Sequence, residues 1–374
     1  MKKLLLVANS SKEHVRKFHI PFITYMKQNG WQVDVACRMD EQISECDNSY
    51  DLPYDRNPFK GGLYKSILCL RDILKQNEYD VIHCNTITGS LVARIAAIPF
   101  RKNGLKVFYI NHGLHFFHGA SLSRWLFGYP MEKLCARYTD VFIAINSEDM
   151  EMAKKHLHEC GSFERIHGIG VNLSRFRKCT MNKEEIKHYR RYLGLSEDDF
   201  VMTYVAELNE NKNQQMLVDM LKEVKKDIPS ARLMLVGPDH ENGKLQKYAA
   251  KLGLSDSVFF LGWRNDIPEL LRISDVYVAS SKSEGLGLNL IEAMACDLPV
   301  IASKNRGHCE CITDGSNGML VNFNDYQAMA SKVLQLSKDS KLRNKLTVQA
   351  QIDICQYESN SVLEELNDIY TKHC

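Results

Sequence analysis

Residues 275–302 hold the stretch that most narrows the choice of fold. Asp275 is followed by Val276-Tyr277-Val278-Ala279, an apolar run of strand length. A polar loop comes next and carries Gly285 and Gly287. Leu288, Ile291, Ala295 and Leu298 then mark the inward face of a short helix, and Val300-Ile301-Ala302 opens another apolar run. A strand, a glycine-bearing loop, a helix and a second strand form one βαβ unit of a parallel sheet. Such sheets bind ligands beyond the carboxyl ends of their strands. The first-turn N–H groups of a helix lack intrahelical acceptors, and with the helix dipole they suit an anion such as a phosphate. The two glycines let a ligand come close to the backbone.

Two carboxylates bracket this loop, Glu284 at the strand mouth and Glu292 inside the helix. A carboxylate beside a phosphate site is electrostatically costly, and acceptance of sugar hydroxyls would account for it. The plain alternative is a glutamate favoured by the dipole at a helix start. Taken together, Glu284-x7-Glu292, the enclosed Gly285-Leu286-Gly287 and the following Ala293-Met294-Ala295-Cys296 resemble the signature of retaining family 4 glycosyltransferases. The resemblance implies the GT-B fold: α/β, two Rossmann-like doubly wound domains facing across a cleft. It also implies roles. Glu284 and the amides of Gly285, Leu286, Gly287 and Leu288 would hold the donor sugar and its diphosphate, and Glu292 the ribose hydroxyls.

The rest of the chain is compatible with that architecture. A length of 374 residues allows two domains, each with its own core. The formal net charge is +2, so no global field recruits nucleic acid, although the N-terminal half is the more basic. Twelve cysteines are scattered without a Cys-x-x-Cys pair, which argues against a disulfide scaffold and for a reducing compartment. The apolar run Leu4–Ala8 is too short for a signal peptide, and no window approaches a membrane span. A cytoplasmic protein is expected, with contact at the inner face of the membrane left open.

Read in order, strands are expected at 4–8, 32–36, 80–84, 106–110 and 141–145, with Asn9–His14 as the exit loop of the first. Helices are expected at about 18–28, 63–75, 91–97, 121–137 and 148–158, and residues 40–62 as an irregular polar lobe containing Pro53 and Pro58. The pattern breaks near Gly168, and a linker is placed to about Met181. Strands resume at 200–205, 232–236, 257–261, 276–279, 300–302 and 318–321. The expected domains are therefore 1–175 for the acceptor, 176–354 for the nucleotide sugar, and a terminal helix at 355–374. In the family that helix crosses back to the N-terminal domain.

Other candidate groups sit at strand ends. Lys212, in Glu207-Leu208-Asn209-Glu210-Asn211-Lys212, is where one cation could meet a diphosphate at a helix start, and it matches the family's phosphate-binding lysine. Glu207 stands where many members have arginine, so one expected cation is missing. Glu207 and Asn209 are placed on the donor side, with Glu207 touching sugar or acceptor hydroxyls or pairing with Lys212. Arg264, after the strand ending at Leu261, is the base-side candidate. His112, in Asn111-His112-Gly113, matches a family histidine that holds the donor sugar near the reacting centre, and the resemblance implies that it forms the catalytic pair with Glu284. Asn9, His19 and His83 are placed on the acceptor side. The steps of three between His112, His115 and His118, and the group His308-Cys309-Glu310-Cys311, do not fit usual metal spacings, so no metal or other cofactor is expected.

The reading is a hexosyltransferase using a UDP-sugar as co-substrate. Its acceptor would be a saccharide, or a sugar on undecaprenyl diphosphate, in capsule or exopolysaccharide assembly. A UDP-sugar 2-epimerase of GT-B fold and a non-catalytic nucleotide-sugar-binding protein are the rivals. Residues 116–137 mix aromatics with Arg124, Lys133 and Arg137, and two readings stand: a helix packed on its own sheet, or one resting on an anionic bilayer.

Overall fold

The computed structural model describes residues 1–54 and 62–374. Of the lobe expected at 40–62, only the part to residue 54 and residue 62 are therefore described, and Pro58 lies outside. The chain divides into two compact units, Met1–Gly170 with Ser359–Cys374, and Val171–Glu358.

The first unit is built on a parallel seven-stranded sheet. Its strands are β1 (Lys3–Ser10), β2 (Gln32–Arg38), β3 (Ser49–Asp51), β4 (Val81–Asn85), β5 (Lys106–Asn111), β6 (Val141–Ala144) and β7 (Ser162–Arg165). Their order is β3-β2-β1-β4-β5-β6-β7. Leu4, Leu5, Leu6, Val7 and Ala8 are all buried, as a strand covered on both faces requires. The strand order reverses between β1 and β4, so the loops after these two strands flank the position where such sheets bind ligands.

The exit of β1 differs from expectation. The strand runs on to Ser10, and Ser11–His19 winds as a π-helix that continues into the α-helix Ile20–Gln28. The Ser10 side chain accepts from Glu13 N, and Val15 and His19 are buried. This polar run therefore has an inward face that strand-and-loop patterning does not show. The edge strands β3 and β7 were not anticipated. Each is short, and only one residue of Ser162–Arg165, Phe163, is apolar. The C-terminal helix Ser359–His373 belongs to this unit. Tyr370 on it is buried, and its hydroxyl lies 2.5 Å from His83 Nδ1.

The second unit holds a parallel six-stranded sheet. Its strands are β8 (Phe200–Val205), β9 (Ala231–Val236), β10 (Val258–Gly262), β11 (Val276–Ala279), β12 (Val300–Ser303) and β13 (Met319–Val321), in the order β10-β9-β8-β11-β12-β13. Here the order reverses between β8 and β11. The segment read as a linker is structured. Leu173 and Phe176 of the helix Leu173–Arg177 are buried in this unit's core, so the division falls at Gly170, ahead of 175. At the other end Ile354 and Tyr357 belong to the same core, and the return to the first unit starts at Ser359.

Candidate functional site

The loops after β8 and β11 meet at the switch point of the second sheet. Asn213 turns the first loop into the helix Gln214–Val224 from a left-handed conformation, φ 54°, that asparagine tolerates better than most residues. Lys212 N donates to Asn209 Oδ1 over 2.9 Å, and Ser280 Oγ donates to Lys212 O over 2.7 Å. With its backbone so held, Lys212 places Nζ 2.6 Å from Glu284 Oε1, and both side chains are largely buried. Glu207 takes another course. It accepts from Asn209 Nδ2 at 2.8 Å, and His240 Nε2 lies 3.3 Å from it. Lys212 thus pairs with Glu284, not with Glu207.

Glu284 is fixed from behind by a close approach of backbone. A Cβ on Gly307 would stand 2.7 Å from Glu284 Cβ and 2.8 Å from its carbonyl carbon, so glycine is required there. Gly287 caps the helix Leu288–Ala295, and the first-turn ladder starts at Leu290 N and Ile291 N, both donating to Gly287 O. The N–H groups of Leu288 and Asn289 precede that ladder and form the anion-seeking end of the helix. Leu286 and Leu288 pack their side chains on the core, so only their backbone is offered to a ligand. Gly285 precedes them and is partly buried.

Glu292 is partly buried on this helix. Loss of solvation raises its carboxyl to about 7, opposed by the nearby Arg175 guanidinium. Glu284 and Glu292 both act on Tyr277. Its buried phenol is held well above the ordinary value by desolvation, and Tyr204, Glu292 and Glu284 push the same way. Val205 N donates to that phenol over 3.2 Å at the end of β8. Both carboxylates therefore lie within electrostatic reach of one hydroxyl at the strand mouths. Arg264 stands apart from them. Its guanidinium forms a bidentate pair with Asp266 and also donates to Tyr189 OH, so a contact with a base would have to compete with that pair.

In the first unit, His14 Nδ1 lies 3.1 Å from His19 Nε2. The His112 ring is 5.9 Å from His14 and 6.2 Å from His19, and His83 is 6.2 Å from His19. Desolvation depresses all four imidazoles: His14 to about 4, His83 and His112 to about 3, and His19 well below its ordinary value. The cluster is neutral at physiological pH. His112 Nε2 lies 3.1 Å from Asn85 Oδ1, and Asn85 Nδ2 and His83 Nε2 are buried without hydrogen-bond partners among the described residues. Asn9 Oδ1 accepts from Thr86 Oγ1 at 2.8 Å, and Thr86 itself sits at φ 61°. A β-branched residue held there is strained, which points to a site. Among the described residues no three His, Cys, Asp or Glu side chains are arranged to share a metal ion.

The structure therefore gathers Asn209, Lys212, Glu284 and the Gly285–Leu288 loop at one switch point, with Glu207 beside them. It gathers His19, His83 and His112 at the other, with Asn9 on the adjoining strand end. Sequence reasoning missed His14, Asn85 and Thr86 in the first unit, and Arg175 and Gly307 in the second, and it weighed His308 only as a metal ligand. Asn85 and Thr86 end β4, so the strand-end rule that found His83 reaches them too. His308 is buried, with Nδ1 2.7 Å from Ser303 O, and supports the Gly287 turn from the next strand end.

Residues 3–146 match the model of the family described as glycosyl transferase 4-like, and residues 185–353 that of glycosyl transferases group 1. The chain is 39% identical to EpsD of Bacillus subtilis (strain 168), provisionally named a glycosyltransferase, over 100% of this chain and 97% of that protein. It is 30% identical to the UDP-Gal:alpha-D-GlcNAc-diphosphoundecaprenol alpha-1,3-galactosyltransferase of Escherichia coli, over 74% of this chain and 71% of that one. Among solved structures it is similar to Anabaena HepE in complex with UDP-glucose, with a TM-score of 0.80 and 22% identity over 100% of both chains.

Proposed function

The chain belongs to the family 4 glycosyltransferases of GT-B fold, and from that premise we propose a retaining enzyme that moves a hexose or N-acetylhexosamine from a UDP-sugar to a sugar on undecaprenyl diphosphate, in cell-surface polysaccharide assembly. The observation that carries the proposal is the Lys212–Glu284 pair beside the N-terminus of the helix Leu288–Ala295. A sugar diphosphate offers each member a better partner. The diphosphate takes the Lys212 ammonium and the loop amides, and the sugar hydroxyls donate to Glu284. Glu292 takes the ribose diol.

Support for the donor and acceptor comes from the relatives. The Escherichia coli protein is named for a UDP-Gal donor and a diphosphoundecaprenol-linked acceptor, and the HepE structure contains UDP-glucose. In the reaction the acceptor oxygen bonds to the anomeric carbon, the bond to the UDP oxygen breaks, and the acceptor proton passes to the leaving diphosphate. Attack on the same face as departure accounts for retention without an enzyme nucleophile. Lys212 and the helix amides meet the developing charge, so no metal is assigned to the step. On the first unit, neutral His112 is assigned to the donor sugar, and Asn9, His19 and His83 to the acceptor.

The test is incubation with UDP-glucose, UDP-galactose, UDP-GlcNAc and UDP-GalNAc, with and without a monosaccharide on undecaprenyl diphosphate. Mass and anomeric configuration of the products are then measured. An α-linked disaccharide formed only with acceptor supports the proposal. Epimerised nucleotide sugar without acceptor, binding without turnover, or a trapped sugar–enzyme adduct each overturns part of it.

A further inference from the structure

We propose that Arg306 is the second cation of the donor site and takes the phosphoryl group next to the sugar. It sits in the segment that leaves β12, one residue ahead of Gly307, and its Nε donates to Glu284 O over 3.3 Å. The guanidinium therefore lies against the backbone of the residue assigned to the sugar. The inference rests on the donor reading above and adds a residue to it.

The position is fixed by its neighbours. Ser303 Oγ and Asn305 Nδ2 both donate to Ser281 O, over 2.9 and 3.0 Å, which ties the exit of β12 to the exit of β11. Asn305 Oδ1 accepts from His308 N at 3.0 Å. Gly307 packs against Glu284 so closely that a Cβ there would stand 2.7 Å from the glutamate Cβ. Arg306 stands between these two anchored residues and is itself partly buried. An arginine on a backbone held at both sides meets a ligand with less ordering cost than one on a loose loop.

Charge asks for such a group. Both phosphoryl groups of a nucleotide sugar are ionised, and the site also holds the acids Glu284 and Glu292. Lys212 supplies one positive charge, shared with Glu284 at 2.6 Å. The amides at the helix start add partial charge only. Other cations near these strand ends are directed elsewhere: Lys282 to Glu210 at 2.9 Å, Arg175 to Asn265 O at 2.9 Å, and Arg264 to Asp266. A guanidinium presents a planar fork of donors that matches two phosphoryl oxygens, where an ammonium is a point charge. Its contact with Glu284 assigns it to the phosphoryl group on the sugar side, away from the ribose assigned to Glu292. That group gains charge when the sugar leaves, so Arg306 serves departure as well as binding.

The test is calorimetry of UDP and UMP binding to the wild type, Arg306→Gln and Arg306→Lys, with no acceptor present. UMP keeps the base, the ribose and the inner phosphoryl group and lacks the outer one. The wild type should bind UDP about tenfold or more tighter than UMP. Arg306→Gln should bind UMP as the wild type does and lose most of that preference, and Arg306→Lys should regain part of it. Where transfer is measured, Arg306→Gln should lower kcat by about 10²-fold, as for one lost donor to a developing oxyanion. Equal circular dichroism and unchanged UMP affinity show that the variant folds. The proposal is overturned if Arg306→Gln keeps the wild-type preference, or if it weakens UMP and UDP alike, as a merely structural residue would. A wild type without preference for UDP overturns it together with the diphosphate reading. A wild-type preference that Arg306→Gln abolishes, beside absent transfer, would uphold Arg306 and reject the transferase reading alone.

Discussion

Lys212 Nζ donates to Glu284 Oε1 over 2.6 Å, joining the loop that leaves β8 to the loop that leaves β11. In the proposed reaction this pair parts, the cation turning to the donor diphosphate and the carboxylate to the sugar hydroxyls. Lys212→Ala should lower kcat by about 10²–10³-fold, the cost of one electrostatic donor to a developing oxyanion. The double variant with Glu284→Gln should lose less than the product of the single losses, because each single change strands the other partner. Steady-state kinetics on the four proteins measures both.

Gly307 offers a subtler intervention. Gly307→Ala adds one methyl group that would meet the Glu284 Cβ at 2.7 Å and its backbone at 2.8 Å, so Glu284 must move while the core is untouched. The expected outcome is a fall in kcat with unchanged circular dichroism and a modest change in UDP affinity, read by kinetics and calorimetry. Wild-type turnover would remove Glu284 from the reaction.

Glu292 carries a pH signature. Its folded carboxyl is raised from an ordinary 4.5 to about 7 by desolvation. Between those values the unfolded chain gives up a proton that the folded chain keeps, so stability falls as pH rises toward 7 and the penalty is complete above it. Thermal melts from pH 5 to 8 should show Glu292→Gln gaining on the wild type as pH rises. UDP affinity should weaken roughly tenfold in Glu292→Ala if the proposed hydrogen bond to the ribose is lost.

The chain's own chemistry made parts of this legible. Leu4–Ala8 and Val276–Ala279 read as strands because parallel strands buried on both faces are continuously apolar. Ser49–Asp51 and Ser162–Arg165 did not, because edge strands bury little. Lys212 and Glu284 could be placed at strand ends, but their pairing depends on β8 and β11 being neighbours, which periodicity does not reveal. His14 was hidden in a polar run that winds as a π-helix. Leu173 and Phe176 are too few to lift a basic segment above linker composition, yet both reach the core.

The four histidines of the first unit should make stability fall on acidification. His14, His19, His83 and His112 all have depressed folded values. Below an ordinary imidazole value near 6.5 the unfolded chain binds protons that the folded chain refuses, so their contribution is lost as pH falls toward 4. Urea denaturation at pH 7, 6 and 5 should show a steep loss that His19→Gln reduces. His112 stays neutral across the working range, so no limb of the pH–rate profile near 6.5 should belong to it.

Arg94 and Glu132 form a buried ion pair, with side chains 1% and 3% exposed, which Tyr109 completes through its hydroxyl. Glu132→Ala leaves the guanidinium without its counter-charge and should cost about 3–5 kcal/mol. Replacing Arg94 and Glu132 together by apolar residues should cost less than Glu132→Ala alone. Denaturant titration of the variants measures the difference.

The most direct measurement is transfer of a labelled sugar from its UDP donor to a monosaccharide on undecaprenyl diphosphate by the wild type and Glu284→Gln, with UDP affinity determined for both. The account expects wild-type transfer, near-equal UDP affinity, and transfer reduced by about 10²-fold or more in the variant. Transfer at the wild-type rate by Glu284→Gln, with UDP bound equally well, would contradict it.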